Sequence, residues 1–325
     1  VRTITGMNRI TDALARRMAC RLGYLFLVAL SMVTLVTKDL QAQAAQASSQ
    51  EKDISFSVTA VPIYQFKANL DEGGDVSASQ YILKLEARRG FSKALSMGLA
   101  LEYDYRDYSF SGVTSLGGRD PWGDVQGTGL SLPVVYRMND QWSFFVSPSV
   151  RASWESGSDW DDSFVYGGVV AASYTVSPNF RIGAGFGVFT GLEDTKFFPQ
   201  IVIDWKITEQ LRLTNPLRPG PTGPAGLELS YRFSKEWETS VGGAYRSLRF
   251  RLDDSGVAPE GVGEESGVLG WLSLSWMPVQ SVDLALLGGA VLGGKLKVYD
   301  RRGHRLASDT YDPAPFVALS AKFSF

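Results

Sequence analysis

Residues 95–106 read LSMGLALEYDYR. Leu95, Met97, Leu99, Leu101, Tyr103 and Tyr105 occupy one set of alternate positions, and Glu102, Asp104 and Arg106 the other. Successive side chains of a β-strand point to opposite faces, so this stretch is a strand with one apolar and one charged side. The rhythm recurs at Trp142, Phe144, Val146, Pro148 and Val150, opposed by Ser143, Ser147, Ser149 and Arg151. It returns at Phe180–Val188, Ile201–Ile207 and Leu227–Phe233. Nothing of comparable length follows a 3.6-residue period after residue 54, so the chain reads as all-β.

Strands are expected at 54–66, 76–88, 94–108, 126–138, 141–153, 163–176, 179–190, 199–208, 211–215, 226–234, 236–250, 266–276, 280–298 and 314–325. That makes fourteen. The weakest is 211–215, LRLTN before Pro216, shorter than the usual span of about nine residues; without it a neighbour is lost too and the count falls to twelve. Tight links (ARRGFSK, MNDQ, SPN, TEQ, SKE, MPVQ) take turns with longer polar ones. The long ones are ANLDEGGD from 68, SFSGVTSLGGRDPWGD from 109, WESGSDWDD from 154, GLEDTKF from 191, NPLRPGPTGPAG from 215, RLDDSGVAPEGVGEE from 251 and YDRRGHRLASDT from 299. An even number of strands with this alternation is the pattern of a transmembrane antiparallel meander β-barrel.

A soluble sandwich shares the two-residue period, but the aromatic residues favour lipid. Phe91, Trp142, Phe180, Trp205, Trp237 and Trp276 gather beside the short turns, where an interfacial girdle would lie. Along the strands one face is repeatedly charged. The lumen candidates are Glu102, Asp104, Arg106, Asp204, Lys206, Glu228, Arg232, Glu238 and Arg246. Arginine or lysine at mid-depth against hydrocarbon costs about 2–4 kcal/mol, so these side chains belong inside.

Composition bounds the rest. Hydrophobic residues make 44% of the 325 and charged residues 20%, an average that alternation, unlike a helical membrane span, leaves ordinary. Residues 16–21 carry Arg16, Arg17 and Arg21, residues 22–36 are apolar, and small residues follow through Ala47. Basic, apolar, small-x-small is the order of a secretory signal. A signal peptide over 1–47 and a barrel over 48–325 are therefore expected, with cleavage after Ala47 or Ala44. The apolar run is about 22 Å long as a helix, short of the roughly 30 Å hydrocarbon core. Residues 1–47 hold six basic and two acidic side chains, leaving 26 basic and 32 acidic, a net of −6. No basic run for nucleic acid remains. The one cysteine, Cys20, lies in the segment expected to be removed.

The final strand, Phe316-Val317-Ala318-Leu319-Ser320-Ala321-Lys322-Phe323-Ser324-Phe325, alternates to an aromatic end. This resembles the signal that the barrel assembly machinery reads in bacterial outer-membrane β-barrel proteins, with Phe323 and Phe325 in the signal positions. The chain also resembles the uncharacterised families of that class, through its Trp-rich short turns and PGPTGPAG at 219–226. The resemblance implies export to the cell outer membrane, contact with its lipid and lipopolysaccharide, and the assembly machinery as a partner during biogenesis. It brings no catalytic residues.

For fourteen strands the backbone radius is about 14 Å, between barrels that fill solid and open porins. A passive pore or transporter for small polar solutes is the leading expectation, with a slight preference for cations or neutral solutes from the acidic excess. The alternative is a non-conducting barrel that stiffens the envelope or displays its loops. An apolar-solute transporter would need an apolar pocket that the inward rows do not show. SFSGVTSLGGRDPWGD is the loop best able to fold inward as a plug, although an ordinary outer loop is the favoured reading. Arg301–Arg305 (RRGHR) could meet phosphates or simply be a solvated loop. Glu155, Asp159, Asp161 and Asp162 lack the spacing of a calcium loop, and no metal or cofactor is expected. A lipid-modifying hydrolase is the remote reading: the single histidine, His304, lies among arginines, and no GxSxG or HExxH motif occurs.

Overall fold

The computed structural model describes residues 54–118, 120–216 and 226–325. The expected signal peptide and most of the Gly/Pro loop lie outside the described residues. Fourteen antiparallel strands follow in chain order: β1 (Ile54–Asn69), β2 (Asp75–Gly90), β3 (Leu95–Ser111), β4 (Asp124–Ser131 and Val134–Arg137), β5 (Trp142–Glu155), β6 (Phe164–Ser177), β7 (Phe180–Gly191), β8 (Asp194–Lys206), β9 (Leu211–Thr214), β10 (Gly226–Arg232), β11 (Trp237–Arg251), β12 (Val262–Val279), β13 (Val282–Tyr299) and β14 (Arg305–Tyr311 and Ala314–Ser324). Each pairs with its neighbours in sequence, and β1 pairs with β14, so the sheet closes on itself. The two divided strands break at proline: Pro133 interrupts β4 and Pro313 interrupts β14, because proline has no N–H to give the ladder.

Four of the tight turns share one device. Ser92, Asn139, Thr208 and Ser234 each accept, on the side-chain oxygen, the backbone N–H three residues on, at 3.0, 2.7, 2.9 and 3.1 Å. This is why a short polar residue opens those links. The tight turns define one end of the barrel. The aromatic girdle sits there in cross-strand pairs: Trp237 stacks on Trp276 at 6.1 Å, Phe180 meets Trp205 at 5.5 Å and Trp142 meets Tyr174 at 5.1 Å.

The outer wall is apolar and open. Leu83, Leu85, Leu99, Leu101, Val146, Phe186, Ile201, Leu272, Leu286 and Leu319 are all exposed. A contiguous apolar surface of this extent requires a hydrocarbon surround. The weak strand survives: Leu211–Thr214 pairs with both β8 and β10, and the count is fourteen. Past Thr214 the side chain of Asn215 continues the ladder, accepting the N–H of Ile203 at 2.9 Å and donating to the carbonyls of Ile201 (2.8 Å) and Gly226 (3.0 Å).

Three expectations about the links are corrected. GLEDTKF is not a long loop: β7 and β8 join through Leu192 and Glu193 alone, both with positive φ (51° and 58°). The GVGEE end of RLDDSGVAPEGVGEE is the start of β12, and LASDT belongs to β14. Most consequential, the loop after β3 does not project outward, because Leu116 and Trp122 are buried.

Candidate functional site: the lumen and its closed mouth

The inner wall has two halves. On β1, β2 and β11–β14 it is apolar, with Val61, Ile63, Ile82, Leu269, Leu287 and Phe316 buried in one continuous cluster. On β4–β8 it is mixed, with Ser131, Ser149, Ser173, Arg181 and Asp204 on the inner face among Phe145, Val165, Phe189, Phe198 and Val202. The inward rows of the sequence are read as charged, but on β1, β2 and β11–β14 much of the inner face encloses an apolar core instead of water.

Inner-face charges are spread along the wet half and its edges. Asp104 and Arg106 are buried, while Glu102 lies 3.0 Å from Arg151, which also contacts Asp104. Asp204 pairs with Arg212 at 2.7 Å and Arg232 with Glu238 at 2.9 Å, and Lys206 is exposed near the turn end. Glu228 accepts the indole N–H of Trp271 at 2.9 Å. A cavity of about 290 Å³ lies beside Lys84, Glu102, Ser131, Ser149, Arg151 and Phe189. A second, of about 500 Å³, lies at the turn end beside Arg232, Lys235, Asp283 and Lys322.

The opposite end is closed by elements that turn inward. Among the described residues β10 pairs with β11 as far as Ala244, and at its far end β11 meets β5, bridging Arg251 to Trp154. A bulge lets β12 and β13 follow. Ladder register slips between Ser266 and Val268, opposite Gly293 and Gly294. Gly293 has φ +58°, and a Cβ on Gly294 would lie 2.1 Å from the Tyr311 ring. Glycine at both places is what permits the bend. Beyond it, Val262–Gly267 is buried on both faces.

One face of this folded-in segment meets the loop after β3. Trp122 stands edge-on to Phe110 (5.3 Å), Phe250 (5.5 Å) and Tyr108 (5.8 Å). Beneath them Glu265, 2% exposed, is a hub. It accepts from Arg106 (2.6 Å) and Tyr108 (2.7 Å) on one oxygen, and from Tyr311 (2.9 Å) and Arg246 (3.2 Å) on the other. Glu155 ties the loops above, taking the backbone N–H groups of Gly123 at 2.7 Å and Asp253 at 2.9 Å. The sequence singles out Glu155 as an acid of a long loop, whereas its two oxygens hold backbone. Arg251 donates to the carbonyls of Asp162 and Glu260, each at 2.7 Å, and to Glu193 at 2.8 Å.

The basic stretch at 301–305 is partly spent. Arg301 contacts Glu260 and Asp162, and Asp300 accepts the N–H groups of His304 and Arg302, each at 2.8 Å. Those backbone donors, that of His304 foremost, hold the Asp300 carboxyl below its usual range. Hub residues Tyr108, Glu265 and Tyr311 carry no sequence motif. Their only signal is that polar residues sit among apolar ones on an inner face.

A closed antiparallel sheet, apolar outside and charged within, defines a β-barrel of the outer-membrane type. The chain belongs to the family described as a domain of unknown function, DUF6268, whose model matches residues 124–312. No curated protein sequence matches it. Among solved structures it is similar to the COG4313 outer membrane channel of Pseudomonas putida F1, at 11% identity and a TM-score of 0.48, over 86% of this chain and 97% of that one. It is also similar to the Pseudomonas putida toluene transporter TodX, at 10% identity and a TM-score of 0.41, over 85% and 91%. A third is the KdgM porin, at 10% and 0.33, over 82% and 99%.

Proposed function

We propose that the protein is an outer-membrane channel for small polar solutes, folded here with its outer mouth closed. One observation carries this reading: a cavity of about 290 Å³ against β2–β7 is lined by Lys84, Glu102, Ser131, Ser149 and Arg151 beside Val165 and Phe189, while the buried apolar cluster of β1, β2 and β11–β14 is filled. A barrel meant only to anchor loops has no need of a wet side. An apolar-solute route finds less support, since the apolar cluster of β1, β2 and β11–β14 is consumed in packing and both cavities have charged side chains in their linings, Lys84, Glu102 and Arg151 in one and Arg232, Lys235, Asp283 and Lys322 in the other. In this orientation the tight turns face the periplasm and the folded-in segment faces outside. No catalytic role is assigned to any residue.

Refolded protein in a planar bilayer tests it. The wild type should show rare steps. Phe250→Ala removes the ring that Trp122 packs against and should raise open time at least tenfold, with unit steps on the order of hundreds of picosiemens for an unobstructed lumen. If intact barrels of both proteins stay silent, the anchoring reading replaces this one; its supporting observation is how thoroughly the mouth is tied.

Export and assembly are part of the same reading. Phe325 completes the ladder with Phe56, its N–H donating to the Phe56 carbonyl at 2.8 Å and its carbonyl accepting at 3.1 Å. Deleting Phe325 should lower the outer-membrane fraction severalfold in cells, with precursor degraded in the periplasm. Normal insertion would remove Phe323 and Phe325 from any signalling role.

A further inference from the structure

The other face of the folded-in segment is built differently from the hub. Glu264, 1% exposed, accepts from Lys297 Nζ at 2.6 Å and Arg249 Nη1 at 2.8 Å, with Tyr299 Oη at 3.4 Å and Lys196 Nζ at 3.7 Å. Arg249 also reaches the Leu192 carbonyl (2.7 Å) and Asp194 (3.2 Å), and Lys196 pairs with Asp194 at 2.8 Å. Three cations thus share two carboxylates. Of the neighbouring acids, Glu193 is taken by Arg251, while Asp162 and Glu260 share Arg301 at the exposed surface (61% and 41% exposed), where water screens their remaining charge from the cluster. Lys295 lies on the same face as Lys297 and forms no ion pair among the described residues.

Two features make this more than a charged patch. Arg249, whose side chain is 9% exposed, has its Nε buried with no hydrogen-bond partner. Lys196 and Asp194 are each about one-third exposed (35% and 36%), so water reaches the cluster past them. Lys196 shares the inner face of β8 with Gln200 and Asp204, which puts that entrance at the outer end of the wet half. A surplus positive charge beside a free guanidinium donor is costly when poorly hydrated. A mobile anion is the group that neutralises it, and arginine with lysine suits carboxylate and phosphate oxygens.

We propose that the Lys196–Arg249–Glu264–Lys297 cluster is a binding site for a small free oxyanion, a carboxylate or inorganic phosphate, at the outer end of the polar route. Its part in transport rests on the channel reading; its existence as a site does not. The site makes the outer constriction favour anions, the reverse of what the acidic excess of the whole chain suggests.

The test is inorganic phosphate titrated against the full barrel in lipopolysaccharide-free detergent at constant ionic strength, read by calorimetry and by the temperature at which heat-modifiable gel mobility is lost. Wild type should bind saturably and its transition temperature should rise, as any ligand of the folded state requires. Lys196→Gln combined with Lys295→Gln, both outside the buried pairings of Glu264 with Arg249 and Lys297, should weaken binding at least tenfold while the barrel stays folded. Absence of saturable binding to wild type, or equal binding to the double variant, overturns the proposal. Added lipopolysaccharide should leave the titration unchanged; competition would assign the ligand to a lipid headgroup and overturn the free-solute assignment. A separate arm measures reversal potential in a salt gradient, where Lys196→Glu should move the channel toward cations. Phosphate binding with silent bilayers would keep the site and remove the channel, whereas a conducting barrel without phosphate binding would do the opposite.

Discussion

Replacing Glu265 by alanine should release the outer mouth and convert a mostly silent barrel into a conducting one. The carboxylate, on β12, holds Arg106 and Tyr108 of β3 together with Arg246 of β11 and Tyr311 of β14. Removing it leaves two guanidinium groups facing each other with little water, and breaking a buried ion pair from one side costs about 3–5 kcal/mol. The wall is secured by its own ladder, so the cost falls on the inward position of β12 and not on barrel closure. Glu265→Gln is the discriminating companion. It keeps one acceptor oxygen, for either Tyr108 or Tyr311, but loses the charge and the second acceptor, so it should fall between wild type and alanine in open probability. The checks are single-channel recording and the loss of gel heat-modifiability. A Glu265→Ala barrel that remains as closed as wild type would show that the Trp122–Phe250 aromatic packing holds the mouth without the hub.

The wall was legible from sequence, whereas of the plug only the candidate loop SFSGVTSLGGRDPWGD was, and β12's inward segment was not, for a physical reason. Wall strands face lipid on one side and the barrel interior on the other, so each position along LSMGLALEYDYR carries the sign of its surroundings. Even four-residue β9 could be counted, because hairpin parity demands it. The folded-in segment has protein on both faces, so its alternation means something else. GVGEESG has glycine and glutamate on successive positions and reads as a polar loop, yet both glutamates are buried against arginines contributed by β3 and β11. The Leu192–Glu193 turn was missed for a related reason. Two-residue hairpins normally announce themselves with asparagine or glycine, which tolerate positive φ. Here the strained pair is held by distant partners: Arg249 takes the Leu192 carbonyl and Arg251 the Glu193 carboxylate. Of the candidate lumen charges, Arg106 and Arg246 meet at one carboxylate although 140 residues apart in sequence. Spacing along a strand carries no trace of that meeting. Lys196 of β8 and Arg249 of β11 likewise come together only at the carboxylates they share, Asp194 and Glu264.

The sidedness of the wall makes the second large prediction. Leu99 lies midway along the outward row that runs from Leu95 to Tyr105, and it is 42% exposed. An arginine there would stand against hydrocarbon near mid-depth, at a cost of about 2–4 kcal/mol. At roughly 1.4 kcal/mol per factor of ten, that is a loss of about thirtyfold or more in the inserted population at equilibrium. Three positions on, Glu102 points inward to Arg151 and the cavity beside Ser131 and Ser149. Glu102→Arg puts like charges together, but water screens them and Asp104 remains beside Arg151. Insertion should therefore be nearly unchanged, while ion preference shifts toward anions. Folding into lipid vesicles of graded urea content, scored by heat-modifiable mobility, compares the two directly. Leu99→Arg should demand markedly less urea to unfold than Glu102→Arg. Were the two equally tolerated, Leu99 would not be in contact with lipid, and the assignment of which wall surface is wet would have to be reversed for β3 and for every strand whose register is tied to it.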